Sequence, residues 1–215
     1  EELFYIESLV ALRKYNFLAK MKGIKFNIVK KIIKQFLDSL PFKLTDDQIK
    51  VLGEIKNNML SPKPMNRLLQ GDVGSGKTIV ALISILICVS NGYQAVIMAP
   101  TEILADQHFR SISKFLSLFN FKIELLIGGT QKSEKTLMKE KIKEGKVDIL
   151  IGTHALIEED VDFSKLGLVV IDEQHRFGVA HRGRLISKGV SPDILIMTAT
   201  PIPRTLTMTV YGDMD

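Results

Sequence analysis

Residues 71–78 read Gly-Asp-Val-Gly-Ser-Gly-Lys-Thr, and this stretch decides the fold. It matches the G-x-x-x-x-G-K-[ST] phosphate loop in full. Its glycines let the backbone curl so that N–H groups point at phosphate oxygens, and the positive end of a following helix adds to the attraction. An apolar segment precedes the loop, and a long apolar run over 79–89 follows it. The stretch therefore predicts a strand, a phosphate-binding loop and a helix in succession.

The loop chemistry gives its residues predicted roles. Lys77 can reach the β- and γ-phosphates of a nucleoside triphosphate, and Thr78 can coordinate Mg²⁺. A glycine-rich turn that binds nothing is the alternative, and the flanking strand and helix argue against it. The predicted nucleotide-binding residues of the loop are Gly71, Asp72, Val73, Gly74, Ser75, Gly76, Lys77 and Thr78.

Strand-like and helix-like segments alternate along the chain from residue 41 onward. Short apolar runs are separated by stretches of helical length. This alternation predicts an α/β fold with a mostly parallel sheet and helices on both of its faces. The predicted strands are 68–69, 95–99, 123–127, 147–151, 168–171 and 194–197, and the predicted helices are 77–91, 102–119, 132–144 and 180–188.

The first forty residues differ from the remainder in charge and pattern. They contain eight Lys or Arg against four Asp or Glu, which is +4 of the chain's net +5. Apolar residues recur at helical spacing over 3–20 and 28–40, and Pro41 ends the second stretch. A solvated helix face explains this charge better than a dedicated nucleic-acid patch. We predict a helical linker over 1–40, packed against the main domain or a neighbour, and an α/β domain over 41–215.

Composition argues against secreted and membrane proteins. The single cysteine, Cys88, lies in the apolar run 79–89, which predicts a buried thiol in a reducing, cytoplasmic setting. That run has eleven residues, whereas a membrane span needs about 20. The four histidines lack metal-ligand spacing, so no metal is predicted beyond nucleotide-bound Mg²⁺. The chain begins without Met, and we expect it to be part of a longer protein.

Two acidic residues follow a predicted buried strand. Residues 168–171 are all apolar, and Asp172 and Glu173 come directly after them. Open α/β sheets bind ligands at the carboxyl ends of their strands, so both acids are expected at the edge that carries the phosphate loop. Asp172 would hold Mg²⁺ through the metal's water shell, and Glu173 would polarise the attacking water. With Lys77, these acids are the predicted catalytic residues; a solvated acidic loop is the weaker alternative.

Several strings resemble the motifs of superfamily 2 helicases, in the order found in that family. Residues 172–175 (DEQH) resemble the DExH box, 41–48 (PFKLTDDQ) the glutamine motif and 99–108 (APTEILADQH) motif Ia. Residues 152–156 (GTHAL) resemble a further DNA-contacting motif, and 198–205 (TATPIPRT) an extended motif III. These strings share one chain with a complete phosphate loop, so they favour a nucleic-acid motor.

Within the superfamily, the strings are most similar to the RecG-type branch-migration helicases. Residues 71–78, 172–179 (DEQHRFGV) and 197–206 (MTATPIPRTL) match that pattern nearly letter for letter. The resemblance covers 41–215 strongly and the first forty residues weakly. Two segments depart from the family pattern, 127–129 and 180–182, and neither belongs to the phosphate site.

The resemblance implies a three-layer RecA-like domain that hydrolyses ATP with Mg²⁺ and acts on branched or forked DNA. It also implies a second RecA-like domain, which supplies an arginine finger, and a wedge domain of the same full-length chain. Because the arginine finger lies outside these residues, we expect weak ATP binding and slow turnover from this chain alone. By motif position, the DNA-contacting residues would be Pro100, Thr101, Gly152 and Thr153, and the residues coupling nucleotide to DNA would be Gln174, His175, Thr198 and Thr200.

Some of these residues have a second, local interpretation. Thr45 and Gln48 form a capping-box pattern, so Gln48 either caps its own helix or reads adenine as the resemblance implies. One glutamine side chain does not easily do both. Thr101 and Thr153 each follow a predicted strand, where they would cap the next helix or hold a DNA phosphate. Those two roles are compatible. His175 would hydrogen-bond Thr198 or Thr200 and relay the nucleotide state.

Other classes of protein remain open from the sequence. A transcription-repair coupling type of duplex translocase and a superfamily 2 RNA helicase share the phosphate machinery. A P-loop kinase or switch ATPase that touches no nucleic acid leaves the strings at 99–108 and 198–205 unexplained. A non-catalytic DNA-binding module leaves the full set of Lys77, Thr78 and the two acids unexplained.

Overall fold

Helices and strands alternate from residue 30 onward. The computed structural model describes residues 22–173 and 179–200, so the helix predicted over 3–20 lies outside the described residues. The described elements are, in chain order, α1 Lys30–Ser39, α2 Asp46–Met59, β1 Asn66–Gln70, α3 Lys77–Val89, β2 Gln94–Met98, α4 Glu102–Phe115, β3 Ile123–Leu126, α5 Lys132–Lys143, β4 Ile149–Gly152, a 3₁₀ turn His154–Ile157, β5 Leu166–Asp172, α6 Val179–Ile186 and β6 Asp193–Thr198.

The strands form one six-stranded sheet in the order β1-β6-β5-β2-β4-β3. Every pairing among the described strands is parallel. Parallel strands are covered by helices on both faces, which explains why β2, β4 and most of β5 are buried along their length and read as continuous apolar runs. All six strands predicted from the sequence are present, and the predicted α/β fold with its parallel sheet is confirmed.

Alternate residues of the strands feed two separate cores. In β2, Ala95 and Ile97 face one core while Val96 and Met98 face the other. The first core lies beneath helices α1 to α4, and the second lies beneath α5, α6 and the 3₁₀ turn. This period of two is the pleat of a strand, so helices are required on both sides. The architecture is therefore the predicted three-layer sandwich.

Helix α3 is the most extensively buried of the described helices. All of its residues from Ile79 to Val89 are buried, including the free thiol of Cys88. The sheet covers one side of α3, and α1 and α2 cover another. The apolar run is thus a core helix, as predicted. In the part of the chain that the structure describes, no helix is long and apolar enough to cross a membrane.

The described part of the basic N-terminal segment packs on the main domain. Phe26 and Phe36 are fully buried in the first core. The segment is also tied by backbone hydrogen bonds, because the N–H of Phe26 donates to the Met59 carbonyl at 2.9 Å. Asn27 and Asn91 exchange two further hydrogen bonds. Of the two sequence-based alternatives, packing on the main domain is the one observed for residues 22–40.

Helix α4 ends four residues before its predicted end. It stops at Phe115, and the N–H of Phe119 then bonds the Leu116 carbonyl in a tight turn. The ring of Phe119 stacks on Phe121 and contacts Phe36 of α1. The apolar residues that extend the helical pattern to 119 therefore form an aromatic cluster with α1 instead of a further helical turn.

Asp193 is a buried carboxyl at the start of β6. The Met65 N–H donates to its Oδ1 at 2.7 Å, and its Oδ2 is buried without a hydrogen-bond partner among the described residues. Burial disfavours the ionised form and raises the pKa of Asp193 to about 7, although the hydrogen bond from Met65 opposes this. Asp193 thus ties the approach to β1 to the start of β6, and its carboxyl is mostly neutral below a pH of about 7.

Substituting Asp193→Asn is expected to reduce the loss of stability with rising pH. The unfolded carboxyl ionises at about pH 4 and the folded one at about 7, so the wild type loses stability through this window. The stability of the wild type relative to the Asn variant should fall by on the order of 3 kcal/mol between pH 5 and pH 8. Urea unfolding of both proteins at each pH measures this. A difference independent of pH would contradict the assignment.

Candidate nucleotide site and nucleic-acid pocket

The carboxyl edge of the sheet brings the phosphate loop and the two acids together. Strand β6 lies between β1, which leads into the loop, and β5, which leads into the acids. Two strand spacings separate β1 from β5, so their ends lie about 10 Å apart. The end of β6 binds both neighbours: Gly71 N–H donates to the Thr198 carbonyl at 3.2 Å, and Glu173 N–H donates to the Met197 carbonyl at 2.9 Å.

The phosphate loop has the backbone that its glycines permit. Gly74 and Gly76 both have φ of +82°, in the left-handed region that glycine adopts without strain. Gly76 is the N-cap of α3, so the first N–H groups of that helix face the loop. The Lys77 ammonium donates to the carbonyls of Gly71 and Asp72 at 2.7 and 2.9 Å. The lysine thus lies within the loop, while residues 72–75 are exposed and Thr78 is half-buried on the first turn of α3.

Gln48 links helix α2 to the phosphate loop. Its Oε1 accepts from the Thr45 N–H at 3.0 Å, and its N–H donates to the Thr45 hydroxyl, which completes the capping box. Its Nε2 donates to the Ser75 carbonyl of the loop at 2.9 Å. The predicted cap is therefore confirmed. Adenine recognition stays a prediction, and it would require Gln48 to exchange a hydrogen bond that it makes here.

Asp172 and Glu173 turn in different directions at the end of β5. Asp172 Oδ2 lies 2.8 Å from Nε2 of His108 in α4, and both side chains are largely buried. Glu173 has φ of +50°, a left-handed conformation that is uncommon outside glycine, and its Oε1 accepts from the Ala199 N–H at 3.1 Å. Such strained residues cluster at functional sites. The acids thus contact two elements, α4 and the end of β6.

The predicted coupling residues are only partly described. The Thr198 side chain is fully buried, and its hydroxyl lies 2.9 Å from the Thr200 hydroxyl and accepts from the Thr200 N–H at 3.2 Å. Gln174 and His175 lie outside the described residues. The relay from His175 to these threonines therefore stays a prediction.

A pocket of about 400 Å³ opens where β2, β3 and β4 end. Three of the four predicted DNA-contacting residues, Pro100, Thr101 and Thr153, line it. The remaining lining residues are Glu102, Gly128, His154, Ala155 and Glu158. The pocket therefore gathers residues from the three segments that follow β2, β3 and β4, and it shares the carboxyl edge of the sheet with the phosphate loop.

The two pocket threonines differ in their local roles. The Thr101 hydroxyl accepts from the Leu104 N–H at 3.3 Å and caps α4, as predicted. The cap predicted for Thr153 is wrong, because only a four-residue 3₁₀ turn follows it and its side chain makes no capping hydrogen bond. Gly152 is not among the lining residues. A Cβ there would collide with the Leu126 carbonyl, so a close approach of β4 to β3 requires glycine at this position.

The oxygen ligands at the sheet edge, from Thr78 and Asp172, suit a Mg²⁺ ion that binds together with a nucleotide. No group of three or more His, Cys, Asp or Glu able to hold a metal occurs in the described ranges 22–173 and 179–200. The Thr78 hydroxyl and the Asp172 carboxylate are hard oxygen ligands. Mg²⁺ usually takes one or two protein oxygens, substrate phosphates and several waters. The residues therefore fit a nucleotide-bound ion and not a site formed by protein ligands alone.

Comparison with known proteins defines the class to which this fold and site belong. Residues 45–209 match the family model of the DEAD/DEAH box helicases. The match covers well over half of the chain, and the chain belongs to this family. DEAD/DEAH box helicases use ATP, so the phosphate loop has a defined ligand class.

Within the DEAD/DEAH box helicases, the chain is similar to proteins named RecG. The chain is 51% identical to the ATP-dependent DNA helicase RecG of Thermotoga maritima over 216 residues, which is 100% of this chain and 27% of that protein. It is 49% identical to RecG of Bacillus subtilis over 90% of this chain and 28% of that protein. The resemblance to RecG-type helicases seen in the motifs is confirmed. The chain spans only about a quarter to a third of these relatives.

Solved structures agree with the fold. RecG bound to a three-way DNA junction matches with a TM-score of 0.86 and 49% identity, covering 100% of this chain and 29% of that one. A complex of S. cerevisiae Dbp5 with Nup159, Gle1, IP6 and ADP matches with a TM-score of 0.65 at 15% identity, covering 88% of this chain and 52% of that one. The second likeness shows the fold alone, and both confirm the predicted RecA-like architecture.

We expect Gly76→Ala to weaken nucleotide binding by about tenfold, because a left-handed Ala costs roughly 1–2 kcal/mol and the free loop relieves that cost by leaving the conformation that binds phosphate. The added Cβ would also collide with the Gln48 amide that holds the loop. Gly53→Ala in α2 is the matched control, since a Cβ there meets nothing within 4 Å. Calorimetric titration with an ATP analogue compares the two variants. Wild-type affinity in Gly76→Ala would contradict this account of the loop.

Proposed function

We propose that this chain is the ATP-binding half of a DNA motor that hydrolyses ATP to unwind or branch-migrate forked and branched DNA. One observation carries the proposal. The strand order places the phosphate loop, the two acids and the pocket lined by Thr101 and Thr153 along one edge of a single sheet. A site for ATP and a site for a nucleic-acid backbone are thereby joined through short, rigid strands. The identity of about one half to RecG helicases supports DNA as the polymer.

Each residue of the nucleotide site has a role in this proposal. Lys77 leaves its loop carbonyls and neutralises the β- and γ-phosphates. Thr78 and Asp172 would hold Mg²⁺, which would supply charge neutralisation on the triphosphate. Glu173 accepts a proton from the attacking water. Its strained backbone and its hydrogen bond to the Ala199 N–H hold this carboxylate between β5 and β6.

The DNA side of the proposal rests on the pocket. Thr101 caps α4, so the positive end of that helix faces the space lined by Thr101 and Thr153. Such a helix end with exposed N–H groups and a hydroxyl is suited to a phosphate of the DNA backbone. Pro100 and Gly152 would shape the same surface. Glu102 and Glu158 also line the pocket, and their negative charge would repel a run of several phosphates. The pocket therefore suits contact with one phosphate of the backbone.

The missing partners complete the proposal. A second RecA-like domain of the same full-length chain would supply an arginine to the triphosphate, and a wedge domain would meet the branch point. RecG has been solved with a three-way DNA junction. We propose branched DNA as the substrate of the full-length protein here, and the cytoplasm as its location. The chain alone would then bind ATP weakly and turn over slowly.

ATPase assays of the full-length protein with several polymers test this function. Forked DNA should stimulate hydrolysis most, followed by linear duplex and single-stranded DNA, and RNA should have little effect.

Glu173→Gln should retain ATP binding and lose turnover under every condition, because it removes the proton acceptor and leaves the phosphate loop intact. Lys77→Ala should lose both. Stimulation by RNA equal to that by forked DNA would favour an RNA helicase, and no polymer effect would refute the motor.

A further inference from the structure

His108 is the residue that joins the pocket helix to the DExH box. It lies in α4, seven residues after Thr101, which is about 10 Å along a helix. Its Nε2 lies 2.8 Å from Asp172 Oδ2. The two side chains are 13% and 14% exposed, so this hydrogen bond is shielded from water on most sides. Neither the phosphate-loop chemistry nor the pocket accounts for this contact.

The chemistry of the pair fixes its direction. An ionised carboxylate only accepts hydrogen bonds, so Nε2 of His108 carries the proton and donates. Among residues 22–173 and 179–200, His108 is the one hydrogen-bond partner of the Asp172 carboxylate. Oδ2 accepts from His108, and a carboxylate oxygen keeps further lone pairs, so the Asp172 carboxylate can still accept from a water of a bound metal. The hydrogen bond thus selects the orientation of the carboxylate.

If the pair had only a structural role, it would hold α4 on the sheet. Apolar packing of α4 already does this. Ala105 and Ile112 of α4 are buried in the first core on either side of His108. The Asp172 backbone is equally fixed, because it pairs with Met197 in the parallel ladder. The pair adds a hydrogen bond that fixes the orientation of the Asp172 carboxylate. Backbone pairing of β5 fixes the position of the Asp172 main chain and does not fix this orientation.

We propose that His108 is a positioning residue: it aims the Asp172 carboxylate at nucleotide-bound Mg²⁺ and transmits DNA contact at the Thr101 end of α4 to that site. This inference rests on the proposed function. Helix α4 is packed as a rigid element, so a shift of about 1 Å at its capped end would move His108 by a similar amount and change the length and angle of its hydrogen bond to Asp172. By linkage, DNA and Mg²⁺–nucleotide then change each other's affinity by the same factor.

Titrations of Mg²⁺ into the full-length protein test the proposal, with binding of a ribose-labelled fluorescent ATP analogue as the readout. In the wild type, forked DNA should shift the Mg²⁺ concentration that gives half-maximal binding. His108→Ala should raise that concentration by about tenfold, as loss of outer-shell partners of metal ligands does, and should remove the shift caused by DNA. His108→Gln should restore both, because its amide N–H reaches a position close to that of Nε2.

Arg110→Ala is the matched control on the same helix. Its side chain is 78% exposed, and its ion pair among the described residues is with Asp106, one turn earlier on α4. It should behave as the wild type in both titrations. Thermal unfolding of each variant identifies a general loss of folding, and the restored behaviour of His108→Gln separates positioning from helix stability.

The outcomes distinguish the inference from the function on which it rests. An unchanged Mg²⁺ requirement and an unchanged DNA shift in His108→Ala would overturn the role of His108 and leave the motor function intact. A raised Mg²⁺ requirement that His108→Gln does not restore would also overturn it. Absence of any Mg²⁺-dependent nucleotide binding in the wild type would overturn the proposed function and the role of His108 together.

Discussion

The parallel ladder of β1, β6 and β5 is the constraint on which the rest of the structure depends. Its register fixes where each strand ends, and strand ends fix where the loop and the acids begin. At the last step of this ladder, the carbonyls of Met197 and Thr198 accept from Glu173 on one side and from Gly71 on the other. Two segments that are a hundred residues apart in sequence are thereby held on either side of a single strand.

Two further contacts extend this arrangement into a network around the nucleotide site. Gln48 caps α2 and bonds the loop at Ser75, so α2 is joined directly to the phosphate loop. His108 bonds Asp172, so α4 is joined to the end of β5. The nucleotide site is therefore in contact with α2 on one side and with α4 on the other, and α4 begins at the pocket lined by Thr101. The proposed motor function would require such connections, because binding energy at the phosphates would have to change the positions of distant groups.

The sequence was sufficient for most of the fold because its signals are local or periodic. The full phosphate loop specified a strand before it and a helix after it, and continuous apolar runs identified all six strands. The end of α4 was harder to predict. Phe119 continues the helical pattern, but it packs with Phe36 and Phe121, and this contact with α1 is visible only in three dimensions.

The site shows the same division between local and long-range information. The Thr45–Gln48 capping box could be predicted because both partners lie within one helical turn. The bond from Gln48 to Ser75 could not, since it spans 27 residues. The bond from His108 to Asp172 spans 64 residues and depends on the order of β2 and β5 in the sheet. Sequence spacing gave no metal role to His108, and the tertiary pairing supplies its connection to the site.

A structure of the full-length protein with Mg²⁺ and a non-hydrolysable ATP analogue would show whether the phosphate loop and the two acids share one metal–triphosphate site. We expect one Mg²⁺ at about 2.1 Å from the Thr78 hydroxyl oxygen, with Asp172 reaching the same ion through a bound water. The γ-phosphate should lie between Lys77 and Glu173. A Mg²⁺ that contacts neither Thr78 nor the water shell of Asp172, or a triphosphate bound away from the phosphate loop, would contradict the account.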